Sequence, residues 1–280
     1  MTEHNLFTQT PQKINFDQIF IFYLEPFLIM NVLKIFIKKL YYKYIPELRR
    51  KQIYKLLHRS EIENVRTAVY PSEKGNFSLR GFDREKAIFV HIPKAAGTSI
   101  ALSIFGELPY HYKAIDYIVF FGRKTFNQYF KFAFVRNPWD RVYSAYTYLR
   151  KGGWDKKDKE WVKANIAQFN DFNDFVINWL SIYNIYKYMH FIPQYEFICD
   201  QNGKILIDYL GYFETIETDF NHICDALNHT AKLSHTNKST SLNYMQHYNE
   251  TTRNIVADVY QKDIELFGYK FDGIASRKTI

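Results

Sequence analysis

The stretch AIFVHIPKAAGTSIAL, residues 87–102, leaves the backbone few choices. Ala87 to Ile92 is a short apolar run that includes Ile88, Phe89 and Val90, with Pro93 just after it. A run of that length and β-branched, aromatic content reads as a buried strand. Pro93-Lys94-Ala95-Ala96-Gly97 then forms a tight turn, and Ile100, Ala101 and Leu102 begin an apolar helix face behind Thr98 and Ser99. A strand, a small-residue loop and a helix N-terminus together make a phosphate cradle. The first N–H groups of a helix lack internal partners, and its dipole favours an anion there. Lys94 adds a cation, and Thr98 and Ser99 add hydroxyl donors.

The loop is not a Walker A motif, which ends in Gly-Lys-Ser/Thr; here Lys94 precedes Gly97 by three positions. A second half lies downstream. FKFAFVR, residues 130–136, reads as another buried strand and leads into Asn137-Pro138-Trp139-Asp140 and a helix, RVYSAYTYLR. Asp140 suits the N-cap of that helix. Ser144 stands eight residues after Arg136, at the second turn. Two phosphate-gripping strand ends suit a nucleotide that carries phosphate at two places.

Strands alternating with helices predict an α/β fold: a parallel sheet covered by helices on both faces. EFICDQNGKILID, residues 196–208, reads as two short strands joined at Asn202-Gly203. Further helices are expected over Asn170 to Leu180, Ile216 to Leu227 and Thr251 to Phe267. Residues 19–37, IFIFYLEPFLIMNVLKIFI, are apolar but broken by Glu25, Pro26, Asn31 and Lys34, which argues against a spanning helix. From Phe27 onward the pattern is that of a basic amphipathic helix, suited to a membrane surface or to packing on the domain. The boundary falls in the polar connection near residue 84, giving an extension over 1–84, a main domain over 85–272 and a tail over 273–280.

A net charge of +8 draws anionic partners without choosing among nucleotides, acidic glycans, nucleic acid and membranes. Cys199 and Cys224 form neither a CxxC nor a metal spacing, and read as buried free thiols. Lys151, Lys156, Lys157, Lys159 and Lys163, with Trp154 and Trp161, make a basic aromatic stretch that fits either a solvated loop or a glycan contact.

The paired motifs carry a resemblance. IPKAAGTS resembles the 5′-phosphosulfate-binding loop of sulfotransferases, and FAFVRNPWDRVYSAY resembles their 3′-phosphate-binding strand and helix. HFIPQYEFICDQNGKILIDYLGYFETI and DIELFGY resemble the family 2 group, which includes carbohydrate sulfotransferases. The match runs from about Lys86 to Phe271. It implies a three-layer, P-loop-kinase-like α/β fold, 3′-phosphoadenosine 5′-phosphosulfate (PAPS) as donor, and transfer of a sulfuryl group to a hydroxyl, most often of a sugar. By the same resemblance Pro93, Lys94, Ala95, Ala96, Gly97, Thr98 and Ser99 hold the phosphosulfate, with Lys94 stabilising the leaving group. Arg136 and Ser144 hold the 3′-phosphate, and Lys238, in His235-Thr236-Asn237-Lys238-Ser239, closes over the nucleotide.

The acceptor hydroxyl must lose a proton. His111 stands 17 residues after Lys94, at the expected end of the next strand, where related sulfotransferases place a His or Glu. His190, in His-x-x-Pro-Gln, is the second candidate. No metal is implied, because the second strand ends in Val-Arg-Asn-Pro with no Asp placed for Mg²⁺. The other readings are a nucleotide kinase or NTPase, opposed by the Lys-before-Gly order, and a non-catalytic basic membrane- or nucleic-acid-binding protein, opposed by the ordered phosphate motifs. A bacterial cytoplasmic enzyme, with membrane contact through residues 19–45, fits better than a Golgi membrane protein, and nucleic acid is not an expected partner.

Overall fold

The computed structural model describes residues 39–72, 75–233 and 244–278. The Phe27-onward helix pattern up to residue 38, and the segment 235–239 with Lys238, lie outside the described residues.

Short strands β1 (Val69–Tyr70) and β2 (Phe77–Ser78) form an antiparallel ribbon ahead of the main sheet. The main sheet has three parallel strands in the order β3 (Ala87–Val90), β4 (Phe130–Val135), β5 (Tyr209–Tyr212). Ala87 pairs with Phe130 and Val90 with Ala133; Phe132 pairs with Tyr209 and Val135 with Tyr212. Continuous apolar runs such as FKFAFV suit strands buried on both faces. All four residues of β3 are buried, and so are Lys131 to Val135 of β4. Lys131 is buried because its Nζ donates to Tyr129 O at 2.7 Å and pairs with Asp208 at 2.7 Å. All three strands end at the same edge of the sheet, where open α/β sheets place their ligands. A closing ribbon, β6 (Tyr269–Lys270) with β7 (Gly273–Ile274), follows the last helix.

Among the described residues two apolar cores form. One surrounds the sheet and includes Phe89, Phe105, Tyr117, Phe132 and Tyr212. The other joins the helices Pro138–Arg150, Phe172–Trp179 and Glu250–Val259 through Trp139, Leu149, Phe175, Trp179 and Val256. Near the N-terminal side, the helix Glu47–Leu57 docks on the helix Ala114–Phe121 through Lys51, whose ammonium is bonded to Asp116 and lies 2.7 Å from Glu47.

Several local expectations change. The residues before and around His111 are not a strand: 109–113 is irregular and opens the helix Ala114–Phe121. Asp116 accepts from the backbone N of Lys113 at 2.8 Å and so fixes the start of that helix. Asp140 is not the N-cap of its helix, which begins one turn earlier, at Pro138. Asn137 caps it, accepting from Trp139 N at 3.1 Å, and Pro138 occupies the first position, where its missing N–H costs nothing. The expected hairpin over 196–208 keeps its turn at 200–203 and a single antiparallel bridge, Cys199 to Ile205. Its first arm is instead the helical turn Tyr195–Ile198, whose Phe197 and Ile198 pack into the core. The long C-terminal helix is two, Glu250–Val259 and Gln261–Phe267, with Tyr260 at the break.

Candidate active site

The loop after β3 is strained and tightly fixed. Lys94 and Ala96 have left-handed backbones, φ 70° and 61°, and Ala96 is the N-cap of the helix Gly97–Phe105. Gly97 touches the His91 ring so closely that a β-carbon there would lie 1.9 Å from His91 Cδ2. This explains the small residues after Lys94: the chain turns back over His91 and starts a helix within one turn. The opening N–H groups of that helix have no partner within it, and they face the strand-end edge. With Lys94 beside them, these residues fit a phosphosulfate.

The β4 end lies beside that loop. Arg136 is 7 % exposed. Its guanidinium donates twice to Asp140, at 2.8 and 2.8 Å, once to the carbonyl of Lys94 at 3.2 Å and once to Ser144 Oγ at 3.0 Å. One N–H of the five remains for a ligand. Ser144 uses its oxygen as acceptor toward Arg136, so its O–H proton points elsewhere. A phosphate that takes those two donors fits, and the arrangement locks the two loops together before any ligand arrives. The structure brings the Lys94 backbone, Arg136 and Ser144 together at this edge.

Residues that sequence reasoning passed over hold this edge in place. Arg141, 1 % exposed, donates to Pro93 O at 3.0 Å and to Ile192 O at 2.9 Å, tying the Lys94 loop to the His190 segment. Gln194 is fully buried. Its amide pairs with the backbone of Arg136, accepting from N at 2.9 Å and donating to O at 2.8 Å, as a neighbouring strand would. Asp263 accepts from the N–H groups of Gln194 and Tyr195 at 2.7 and 2.9 Å. Burial pushes its carboxyl up to about 6, against the pull of those hydrogen bonds and of Arg141.

Lys94 itself sits over a ring. Its Nζ is 3.8 Å from the Tyr148 ring centroid. Tyr148 OH donates to Asp158 at 3.2 Å, and Tyr188 OH donates to the same buried carboxylate. The lysine-rich stretch, expected as a loop, is a helix over Lys156–Asn165, started by the Asp155 cap that accepts from Asp158 N, and it is anchored from beneath. Lys151, Lys156, Lys157, Lys159 and Lys163 are exposed, while Asp158 among them is buried and holds Trp154 N at 2.6 Å. Trp161 stacks on Tyr188 at 4.1 Å, and Trp154 packs against Phe77, so both indoles are engaged within the protein.

Both candidate histidines lie at this edge. His111 Nδ1 donates to His91 O at 2.8 Å, so in its neutral form Nε2 carries the lone pair. The rings of His91 and His111 are 4.1 Å apart. His91 is itself buried, stacks on Phe89 at 5.6 Å and donates from Nδ1 to Pro109 O at 3.4 Å. Burial, then the neighbouring His111, hold it well below the usual imidazole range. His190 is 8 % exposed, between Tyr148 and Tyr188 at 5.2 and 5.4 Å. Its Nδ1 is buried with no hydrogen-bond partner among the described residues. Burial, followed by the charges of Lys94 and Arg141, pushes it down to about 3. Among the described residues no group of three or more His, Cys, Asp or Glu is arranged to hold a metal ion, and no helix is long and apolar enough to cross a membrane.

Comparison with known proteins bears on this geometry. The chain matches the sulfotransferase family over residues 119–270, more than half its length. The match covers β4, Arg136, Ser144, His190 and Gln194, and begins downstream of the Lys94 loop. The chain is also similar to an uncharacterized protein of Archaeoglobus fulgidus, at 37 % identity over 100 residues, which covers 35 % of this chain and 67 % of that protein. No solved structure matches. By this match the chain belongs to the sulfotransferase family and is an enzyme that transfers sulfate groups from a nucleotide donor to an acceptor.

Proposed function

We propose that the enzyme moves a sulfuryl group from PAPS to a hydroxyl of a carbohydrate, with His111 as general base. One observation carries most of this reading: Arg136 bonds both the Lys94 loop and Ser144, so the two phosphate sites form one rigid unit. That unit suits a nucleotide with phosphate at both its 5′ and 3′ positions. In this reading the loop 93–99 takes the phosphosulfate, Arg136 and Ser144 take the 3′-phosphate, and Lys238 lies in a segment that closes over the nucleotide. Residues 85–272 form the catalytic unit, with the sheet as the middle layer of a three-layer, P-loop-kinase-like fold.

The chemistry follows from placement. The acceptor oxygen attacks sulfur in line, a new S–O bond forms, and the bond to the 5′-phosphate oxygen breaks. The acceptor proton passes to His111 Nε2, and adenosine 3′,5′-bisphosphate leaves. Charge grows on the bridging oxygen, where Lys94 and the helix N–H groups stand; loss of such a stabiliser costs on the order of 10² to 10³ in rate. His111 is favoured over His190 because its Nδ1–H is committed to His91 O, which makes Nε2 the basic nitrogen of the neutral ring. His190, at about 3, is too weak a base for neutral pH and serves as a neutral hydrogen-bonding group.

Thermal shift tests the donor. Adenosine 3′,5′-bisphosphate is expected to stabilise the protein, and stabilisation by ATP–Mg²⁺ alone would overturn the reading in favour of a kinase. The stretch 19–45 fits contact with the surface of a membrane that carries the acceptor, on the cytoplasmic side. Vesicle flotation tests this, and failure of the full chain to float at physiological salt would remove it.

A further inference from the structure

A carbohydrate acceptor leaves one part of the surface to be explained. Ile182, Tyr183 and Tyr186 are 55, 79 and 49 % exposed, side by side in one short segment. Scattered exposed apolar side chains are ordinary, but a cluster beside a cavity is not. The cavity has a volume of about 290 Å³, and its walls include Ile185, Tyr186, Pro193, Tyr195, Tyr260 and Lys262.

Its polar groups are already positioned. Tyr186 OH lies 3.4 Å from Tyr195 OH and donates to Glu196 Oε1 at 3.3 Å, while Lys113 donates to Glu196 Oε2 at 2.8 Å. Lys262 Nζ sits 3.8 Å over the Tyr195 ring. Flat aromatic faces next to fixed hydroxyl, carboxylate and ammonium groups match a sugar ring, which presents an apolar C–H face and a rim of hydroxyls.

The cavity is joined to the reacting edge through one chain segment. Pro193 and Tyr195 flank Gln194, whose amide is paired to Arg136, and the same segment begins at His190. Lys113 is two residues from His111, a span of at most about 7 Å of extended chain. Lys94, Arg136, Ser144, His111 and His190 are not among the residues lining the cavity, so a ligand seated here leaves the sulfuryl site open.

We propose that this cavity is a distal acceptor subsite, binding sugar rings of an oligosaccharide remote from the hydroxyl that is sulfated. The proposal rests on the carbohydrate reading above. It is tested by initial rates at saturating PAPS with a panel of neutral tetrasaccharides, each paired with the methyl glycoside of its terminal sugar. The wild type is expected to show a KM about tenfold lower for the tetrasaccharide than for the glycoside. Tyr186→Ala and, separately, Lys262→Ala are expected to raise the tetrasaccharide KM about tenfold, with kcat, the KM for PAPS and the glycoside KM unchanged. Tyr186→Phe keeps most of the advantage. Lys262 is exposed, so its variant also serves if Tyr186→Ala does not fold. Tetrasaccharide kinetics unchanged in both alanine variants would overturn the subsite and leave the carbohydrate reading standing. If no carbohydrate is sulfated while adenosine 3′,5′-bisphosphate still binds, the carbohydrate reading fails, and the subsite with it.

Discussion

Replacing Gly97 by alanine tests the architecture of the donor loop. The new methyl carbon would lie 1.9 Å from His91 Cδ2 and 2.1 Å from Nε2, where ordinary contact begins near 3.4 Å. One partner must therefore move by about 1.5 Å. The His91 ring has little freedom to do so: it lies against Phe89 and His111, and its Nδ1 is held by Pro109 O. Overpacking a site of this kind costs about 1–3 kcal/mol. If the loop gives way instead, Lys94 and the helix N–H groups shift, and an ångström of misplacement costs about 10² in rate. His91→Ala makes room, so the double variant His91→Ala, Gly97→Ala should recover part of the loss. The two changes should couple by about 1–3 kcal/mol, within the usual range for touching residues. Urea unfolding and the affinity for adenosine 3′,5′-bisphosphate measure the cycle. A Gly97→Ala protein of wild-type stability and affinity, or strictly additive variants, would refute the account of the loop.

Other expectations follow from the same edge. Arg136→Lys loses the bidentate pair with Asp140 and the links to Lys94 O and Ser144. The Kd for adenosine 3′,5′-bisphosphate should rise about 10- to 100-fold by calorimetry, and an unchanged Kd would remove Arg136 from the donor site. Tyr148→Leu removes the ring beneath Lys94, a contact worth about 0.5–2 kcal/mol. Single-turnover rates should fall while Tyr148→Phe stays near wild type; equal rates for both would mean the ring does not position Lys94. His190 has a folded pKa below its unfolded value of about 6.5. Its contribution to stability is therefore present above that pH and is lost as pH falls toward 3. The loss between pH 6.5 and 5 is about 2 kcal/mol. Urea unfolding at both pH values should show a smaller drop for His190→Gln, and parallel curves would contradict the buried, neutral imidazole.

The parts of this site that could be read in advance were those carried by short-range pattern. β3, its turn and the following helix are contiguous, and Arg136 and Ser144 are set by one strand end and two helical turns. What pattern missed was decided by distant packing. Nothing in the sequence pairs Gln194 with the backbone of Arg136, 58 residues away, or sets Tyr148 beneath Lys94. Arg141 did leave a trace: it falls on the apolar stripe Pro138, Val142, Ala145, Leu149, where a charge marks a buried partner. Asn137-Pro138 also signalled the true helix start more strongly than Asp140 did, since Pro favours the first helical position. At Asn202-Gly203 the local turn signal was right, but burial of Phe197 and Ile198 in the core drew the preceding arm into a helical turn.

The proposed transfer from PAPS under the control of Lys94 is tested by release of adenosine 3′,5′-bisphosphate from PAPS, followed chromatographically with and without a carbohydrate panel. Acceptor-dependent release is expected, falling by about 10² to 10³ in Lys94→Ala. Release that ignores the acceptor, or survives intact without the Lys94 ammonium, would contradict it.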